Sequence, residues 1–282
     1  MRTTCAAELG AINEVLPESN TDRRIRAERQ SYDRDYTMTP HRPNYILPIT
    51  YNDNPNDAPF SELGGDNAVD YTEAEMQVSI KFPVAQQLWG TDTDLLVAYT
   101  NRAWWQVYNG QFSKPFRETN YEPELFLRHY GGPSFWGMDI AGWDLGFVHQ
   151  SNGRTQLLSR SWDRIEARVA VDITDKLALA LTTWYRLPED GSDDQNPGLH
   201  RYQGYGQARL IFAPNNNTFT TMYRPGTAKQ SVELTWSYPL FRHARIFAQY
   251  FNGYGESLLD YNVRSERIGI GFAINDYLKG PR

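Results

Sequence analysis

Arg267-Ile268-Gly269-Ile270-Gly271-Phe272-Ala273-Ile274 sets large apolar side chains at every even position and Arg, Gly, Gly and Ala at the odd ones. Successive side chains of an extended chain point to opposite faces, so this stretch reads as a strand with one oily face and one small or polar face. The pattern recurs in Val232, Leu234, Trp236 and Tyr238 against Glu233, Thr235 and Ser237. It recurs again in Met76, Val78, Ile80 and Phe82 against Gln77, Ser79 and Lys81, and in Leu177, Leu179 and Leu181 against smaller residues. Turn residues separate such segments, and counting them predicts about 12 strands, an even number as in bacterial single-chain barrels.

A β-sandwich also alternates, and the second face tilts the reading. Glu118, Glu122, Glu124, Arg128, Arg164, Glu166, Arg168, Gln207 and Arg209 share faces with few apolar neighbours, while the opposite faces are uniformly oily. A packed polar lumen inside a lipid-facing wall has this composition. The expected fold is all-β: a 12-stranded antiparallel transmembrane β-barrel over residues 41–282, behind a polar N-terminal extension over residues 1–40. That extension, periplasmic or disordered, offers nothing for a core and one short helix over Asp22 to Tyr32.

Composition is compatible with this. The mean hydropathy of -0.63 and the lack of an apolar run near 18 residues exclude a helical membrane protein, but a barrel hides in a polar average. Aromatic residues make up 14% of the chain and suit bilayer interfaces. A single cysteine, Cys5, excludes an internal disulfide framework. The net charge of -6 argues against nucleic acid as a partner, and the run Arg23, Arg24, Arg26 and Arg29, interleaved with Asp22 and Glu28, reads as a solvated face. The N-terminus lacks the features of a secretory signal, so an exported protein is expected here in mature or trimmed form.

The chemistry lies in Trp143 to Ser151. Trp143, Leu145, Phe147, His149 and Ser151 share one face, so an imidazole and a hydroxyl end an otherwise oily row. In the next segment Asp163 falls on the face of Ile165, Ala167, Val169 and Val171. A hairpin centred near Gln156 brings His149 opposite Asp163. Hydroxyl, imidazole and carboxylate are what nucleophilic acyl transfer needs: Ser151 attacks, His149 takes and returns the proton, and Asp163 holds the imidazole. Each residue taken singly is also explained as a polar rim where strands leave the bilayer, since a charge near the interface costs only about 0 to 1 kcal/mol. Other chemistries lack their residues. His149 stands two before Ser151 where a nucleophile elbow has glycine, and His41, His129, His149, His200 and His243 show no zinc spacing.

Through His149-Gln150-Ser151-Asn152-Gly153-Arg154 and Ser159-Arg160-Ser161-Trp162-Asp163-Arg164 the chain resembles the outer membrane phospholipase A family. Trp104-Trp105-Gln106, Pro115 to Pro123 and Gly253 to Asn262 carry the resemblance further, from about Asn44 to about Tyr277. It implies a 12-stranded outer-membrane barrel, activated by calcium and homodimerisation, that hydrolyses acyl esters of membrane phospholipids and lysophospholipids at a site on its outer wall towards the cell surface. By the same resemblance the Gly153 N–H holds the oxyanion. Calcium takes the Arg154 carbonyl, the Ser159 hydroxyl and, across the dimer, the carbonyl of the partner's Ser113. Asp163 stands where the best-studied relatives have asparagine. A second calcium site is expected to be weakened, with Gln156 at one aspartate position and Asp194 or Asp193 supplying the other. Asn101 stands where the family buries a glutamine in its dimer interface. Arg160, Trp162 and Arg164 are expected to be structural, pairing with Glu118 and Glu122 or packing inside. The alternatives are a barrel that kept the fold and lost the chemistry, a narrow pore among them, and a soluble sandwich lectin.

Overall fold

The protein is described by a computed structural model covering residues 18–32, 34, 37–60, 68–111, 114–191 and 194–279. Twelve long strands form a closed wall: β1 Asn44–Asn52, β2 Thr72–Ala85, β3 Thr93–Trp105, β4 Phe116–Tyr130, β5 Met138–Ser151, β6 Ser161–Thr174, β7 Leu177–Arg186, β8 Gly206–Phe212, β9 Thr218–Pro225, β10 Gln230–Phe241, β11 Ala244–Tyr254 and β12 Arg264–Asn275. Each is antiparallel to the next, and β12 pairs with β1, so the barrel leaves no free edge. Two-residue pairings at Thr39–Pro40 and Ser134–Phe135 add to β2 and β5. No described helix is long and apolar enough to cross a membrane.

The alternation sorts side chains as the sequence predicts. In β12, Ile268, Ile270, Phe272 and Ile274 are exposed on the outer wall, whereas Arg267 and Ala273 are buried inside. Gly271 faces inward at a close approach of two strands: a Cβ there would lie 2.1 Å from the Ile46 carbonyl and 2.6 Å from Pro48 Cδ. Pro48 sits in a register shift between Leu47 and Thr50, and further shifts occur at Pro83/Ala85 and Pro239/Phe241. Proline cannot donate to the ladder, so it is tolerated where the ladder slips.

The lumen is filled by ion pairs. Arg42 binds Glu122 and Glu124, Arg168 binds Glu124, Glu166 and Asp144, and Arg164 reaches Glu122 at 3.2 Å and Glu166 at 2.8 Å. Nearer the active-site end, Arg117 spans Glu73 and Asp260, and Arg267 spans Glu73 and Glu256. Removing either partner of such a pair leaves an uncompensated buried charge, so the network holds strand register more than it adds net stability.

Helix α1, Asn20–Ser31, docks at the opposite end of the lumen. Ser19 Oγ caps its first turn at Asp22 N and, with Thr21, donates to Asp172. Arg24 donates to the Pro40, Asp276 and Tyr277 carbonyls. Glu28 pairs with the buried Lys81 at 2.9 Å. The basic run is therefore not a uniform solvated face: Arg23 and Arg26 are exposed to solvent, but Arg24 and Glu28 point into the barrel, where partners on β2 and the C-terminal segment replace water. Residues 1–17, with Cys5, lie outside the described residues.

Candidate active site

β5 and β6 meet as a hairpin whose register places His149 opposite Asp163 and Ser151 opposite Ser161. Apolar Trp143, Leu145 and Phe147 lead up to the pair along the exposed face of β5. His149 Nδ1 lies 2.7 Å from Asp163 Oδ1, with both side chains partly exposed on the outer wall (38% and 40%). Ser151 follows on the same face, and no hydrogen bond joins its hydroxyl to His149 in this arrangement. The inner face locks the same two strands, since Trp162 Nε1 donates to Gln150 Oε1 at 2.8 Å. Trp162 in turn packs with Trp184, Leu199, Leu258 and Tyr261, and the Arg164 guanidinium lies 4.3 Å from its ring centroid. The outward acid and base therefore stand on a stiff, fully packed wall.

Beyond Ser151 the loop is held by one side chain that the sequence reading did not single out. Asn152, buried, accepts from the Arg154 N–H at 3.3 Å and the Arg160 N–H at 2.9 Å, and donates to the Leu158 carbonyl at 2.7 Å. Its own N–H donates to the Arg160 carbonyl. An asparagine directly after a strand is a familiar turn signal, but its reach across eight residues needed the fold. The clamp ties both limbs of the loop together and so fixes Gly153 between them. Gly153 adopts φ +64°, and an added Cβ would meet Tyr121 Cε2 at 3.1 Å. Tyr121 pairs with Ser151 on one side and Asn101 on the other, so Asn101, Tyr121 and Ser151 form one row across β3, β4 and β5.

The expected calcium ligands are partly visible. The Arg154 guanidinium donates to the Phe116 and Arg117 carbonyls and sits 3.4 Å from Glu118, which anchors its backbone. Ser159 Oγ donates to Gln195 Oε1 at 3.0 Å. Asp194 is engaged by Arg186 at 2.7 Å and by the Asn196 N–H at 2.8 Å. Slight burial works against its charge, but these bonds hold its carboxyl below the usual carboxylate range. Ser113 and Asp193 lie outside the described residues. Arg160 does not pair with a lumen carboxylate as expected: it donates to the Leu157 and Ser159 carbonyls, because Asn152 turns its backbone into the loop. Among the described residues no group of three His, Cys, Asp or Glu side chains is placed to hold a metal ion, and the Arg154 carbonyl and Ser159 hydroxyl are oxygen donors of the kind that suit calcium.

A family model described as phospholipase A1 matches residues 21–274, nearly the whole barrel and α1. The chain belongs to the phospholipase A1 family. Among its relatives, the phospholipase A1 of Escherichia coli K12 is 34% identical over 249 residues, which is 88% of this chain and 84% of that protein. That of Klebsiella pneumoniae is 35% identical, with 88% and 85% covered. The solved outer membrane phospholipase A from Escherichia coli superposes with a TM-score of 0.84 at 31% identity, covering 90% of this chain and 97% of that one. A Salmonella typhi outer membrane phospholipase, solved as a dimer with bound calcium, superposes with a TM-score of 0.82 at 31% identity, covering 86% and 94%. Members of the phospholipase A1 family with this closed barrel are bacterial outer-membrane proteins, and so is this chain.

Proposed function

We propose that this protein hydrolyses acyl ester bonds of phospholipids and lysophospholipids in the outer membrane through Ser151, His149 and Asp163. The observation that carries the reading is the 2.7 Å contact of His149 Nδ1 with Asp163 on the outer wall, two residues from a serine on the same face. Asp163 accepts a hydrogen bond from Nδ1–H, which fixes the tautomer and leaves Nε2 free to take the proton of Ser151 as its oxygen attacks the ester carbonyl. The charge that develops on the carbonyl oxygen meets the Gly153 N–H, preorganised by the Asn152 clamp. His149 then protonates the leaving alcohol. Water, deprotonated by the same imidazole, releases the fatty acid from Ser151.

The setting supports a lipid substrate: an outward site draws its ester from the surrounding leaflet, and Trp143, Leu145, Phe147 and Tyr121 line its approach. At this end the strands are far apart in sequence: Asn52 from Thr72, Trp105 from Phe116, Ser151 from Ser161 and Arg186 from Gly206. At the other end, where α1 docks, turns such as 175–176 and 242–243 are short. Outer-membrane barrels carry the longer loops outside the cell, which orients the site towards the cell surface. Calcium would be held by the Arg154 carbonyl and Ser159 hydroxyl, where it would supply positive charge for the oxyanion. Function as a homodimer, with Asn101 at the contact, follows the family pattern.

Fatty-acid release from mixed phospholipid–detergent micelles, with calcium and then with chelator, tests the reading. Calcium-dependent release that Ser151→Ala lowers at least about a thousandfold is expected. Equal release by the variant, or none by wild type under dimer-promoting conditions, means a barrel without this chemistry.

A further inference from the structure

Arg224, on β9 near the active-site end of the lumen, is in ion-pair contact with no carboxylate among the described residues. Its Nε donates to Ser231 Oγ at 3.2 Å, its Nη2 donates to the Tyr254 and Gly255 carbonyls at 3.0 and 2.7 Å, and Nη1 has no partner among those residues. The nearby acids are committed elsewhere. Glu233 takes Arg209 at 3.0 Å and, at 4.0 Å, Arg102 from the far wall; Arg102 also holds Glu75 at 2.8 Å. Glu256 is bound to Arg267 at 2.8 Å and to Ser265. Across the β8–β9–β10 ladder Arg209, Met222 and Glu233 stand in one row, and Arg224 is the next inward position beyond Met222. The guanidiniums of Arg102, Arg209 and Arg224 therefore share two carboxylates, Glu75 and Glu233, which leaves one positive charge in excess.

Uncommitted donors surround that charge. The short helix α2, His200–Gln203, ends in Gln203, whose buried side chain has no hydrogen-bond partner among the described residues. Its Nε2 and Arg224 Nη2 lie 3.1 and 3.2 Å from the point that a Cβ on Gly255 would occupy, so both donors reach a space that glycine leaves free. Gln207 precedes Ala208, the partner of Tyr223, and so stands beside Arg224 on the inner face. All three line the cavity of about 380 Å³, as do Trp104 and Arg164, whose buried Nε1 and Nη1 have no partner among the described residues. A charge and donors withdrawn from bulk water without partners are costly, and proteins meet them with ordered water or a bound ion. Water satisfies the donors, but only an anion also cancels the charge. We infer that the lumen beside Arg224 binds one monovalent inorganic anion of chloride size, held by Arg224 and the side-chain amides of Gln203 and Gln207. The excess of one charge sets the valence, and the surrounding side chains set the size. The ion ties β9 to α2 and to the loop after β11, which carry Tyr202 and Leu258 against Trp162 behind the active-site hairpin.

Thermal unfolding of the refolded full chain in nonionic detergent tests this, with chelator present and ionic strength fixed while bulky gluconate is replaced stepwise by chloride. Wild type and Arg23→Gln, a control on the exposed face of α1, should rise in melting temperature by at least about 3 °C and then level off. Arg224→Gln should shift by less than about 1 °C, and Gln203→Leu should need at least about threefold more chloride for half of its shift. An equal shift in Arg224→Gln and wild type is a general salt effect and overturns the inference. No shift in wild type overturns it too, leaving water alone on these donors. Should Arg224→Gln lack the folded mobility on unheated gels, Gln203→Leu decides: half-saturation at the wild-type chloride concentration overturns the site.

Discussion

Asp163 faces His149 across the hairpin, and its chemistry is simple to separate. Its carboxylate makes a 2.7 Å contact with His149 Nδ1. A hydrogen bond to a charged group contributes about 1.5 to 3 kcal/mol and a neutral one about 1 kcal/mol. Asp163→Asn keeps the acceptor and loses the charge, so kcat should fall about tenfold; Asp163→Ala loses both and should fall about a hundredfold or more. Wild-type rates in both variants, measured on micellar phospholipid, would show that Asp163 does not serve His149. The sequence predicted the His149–Asp163 pair because strand periodicity and a hairpin centre suffice to align two positions. It did not single out Asn152 or Gln195, because their partners Arg160 and Ser159 come close only after two loops fold back.

The loop after β5 and the helix before β1 each concentrate their effect in a few contacts. Gly153 combines φ +64° with a tyrosine ring 3.1 Å from where a Cβ would stand. If its N–H holds the oxyanion as proposed, Gly153→Ala should displace it and lower kcat about a hundredfold, the usual loss for one such donor. The barrel should still form, as judged by gel mobility of unheated samples; unchanged kcat would remove Gly153 from the mechanism. In α1, burial alone would raise the Glu28 carboxyl, but Lys81, Arg24 and Arg128 together outweigh it and hold the pKa at about 2. A lowered folded pKa gives stability that is complete above the ordinary value near 4.5 and is lost as pH falls towards 2. Glu28→Gln, which mimics the protonated acid, should lower stability by about 3 kcal/mol at pH 6. The difference should vanish near pH 2 in thermal unfolding. A constant difference across that range would mean that the Lys81 pair is not its source.

Taken whole, the barrel is a wall around a solid. Charged side chains cross its lumen from Arg267 and Glu73 near the active-site end to Glu28 and Lys81 at the other, and a partly open cavity of about 380 Å³ remains inside. Such an interior should conduct no steady ion current. Single-channel recording in planar bilayers should show a flat baseline for wild type, and stepwise openings would contradict the packed lumen. The chemistry is thereby pushed outward: with the inside occupied, the surface left to meet substrate is the one facing lipid. That geometry agrees with His149 and Ser151 continuing the oily row of Trp143, Leu145 and Phe147.

The period-two pattern in segments such as Arg267 to Ile274, with the charged second face of Glu118, Glu122, Arg164 and Arg168, determined the fold class, the strand count and the face on which His149, Ser151 and Asp163 lie. Each of these depends on the alternation of side chains along an extended chain and on what stands at the alternate positions. The tertiary structure decided what joins distant segments: α1 against Asp172 and Lys81, Asn152 across its loop, Gln195 against Ser159. Those contacts are made by polar groups in irregular backbone. Their partners are chosen by closure of the barrel and by the need to satisfy each buried donor and acceptor, for which one-dimensional order holds no period to read.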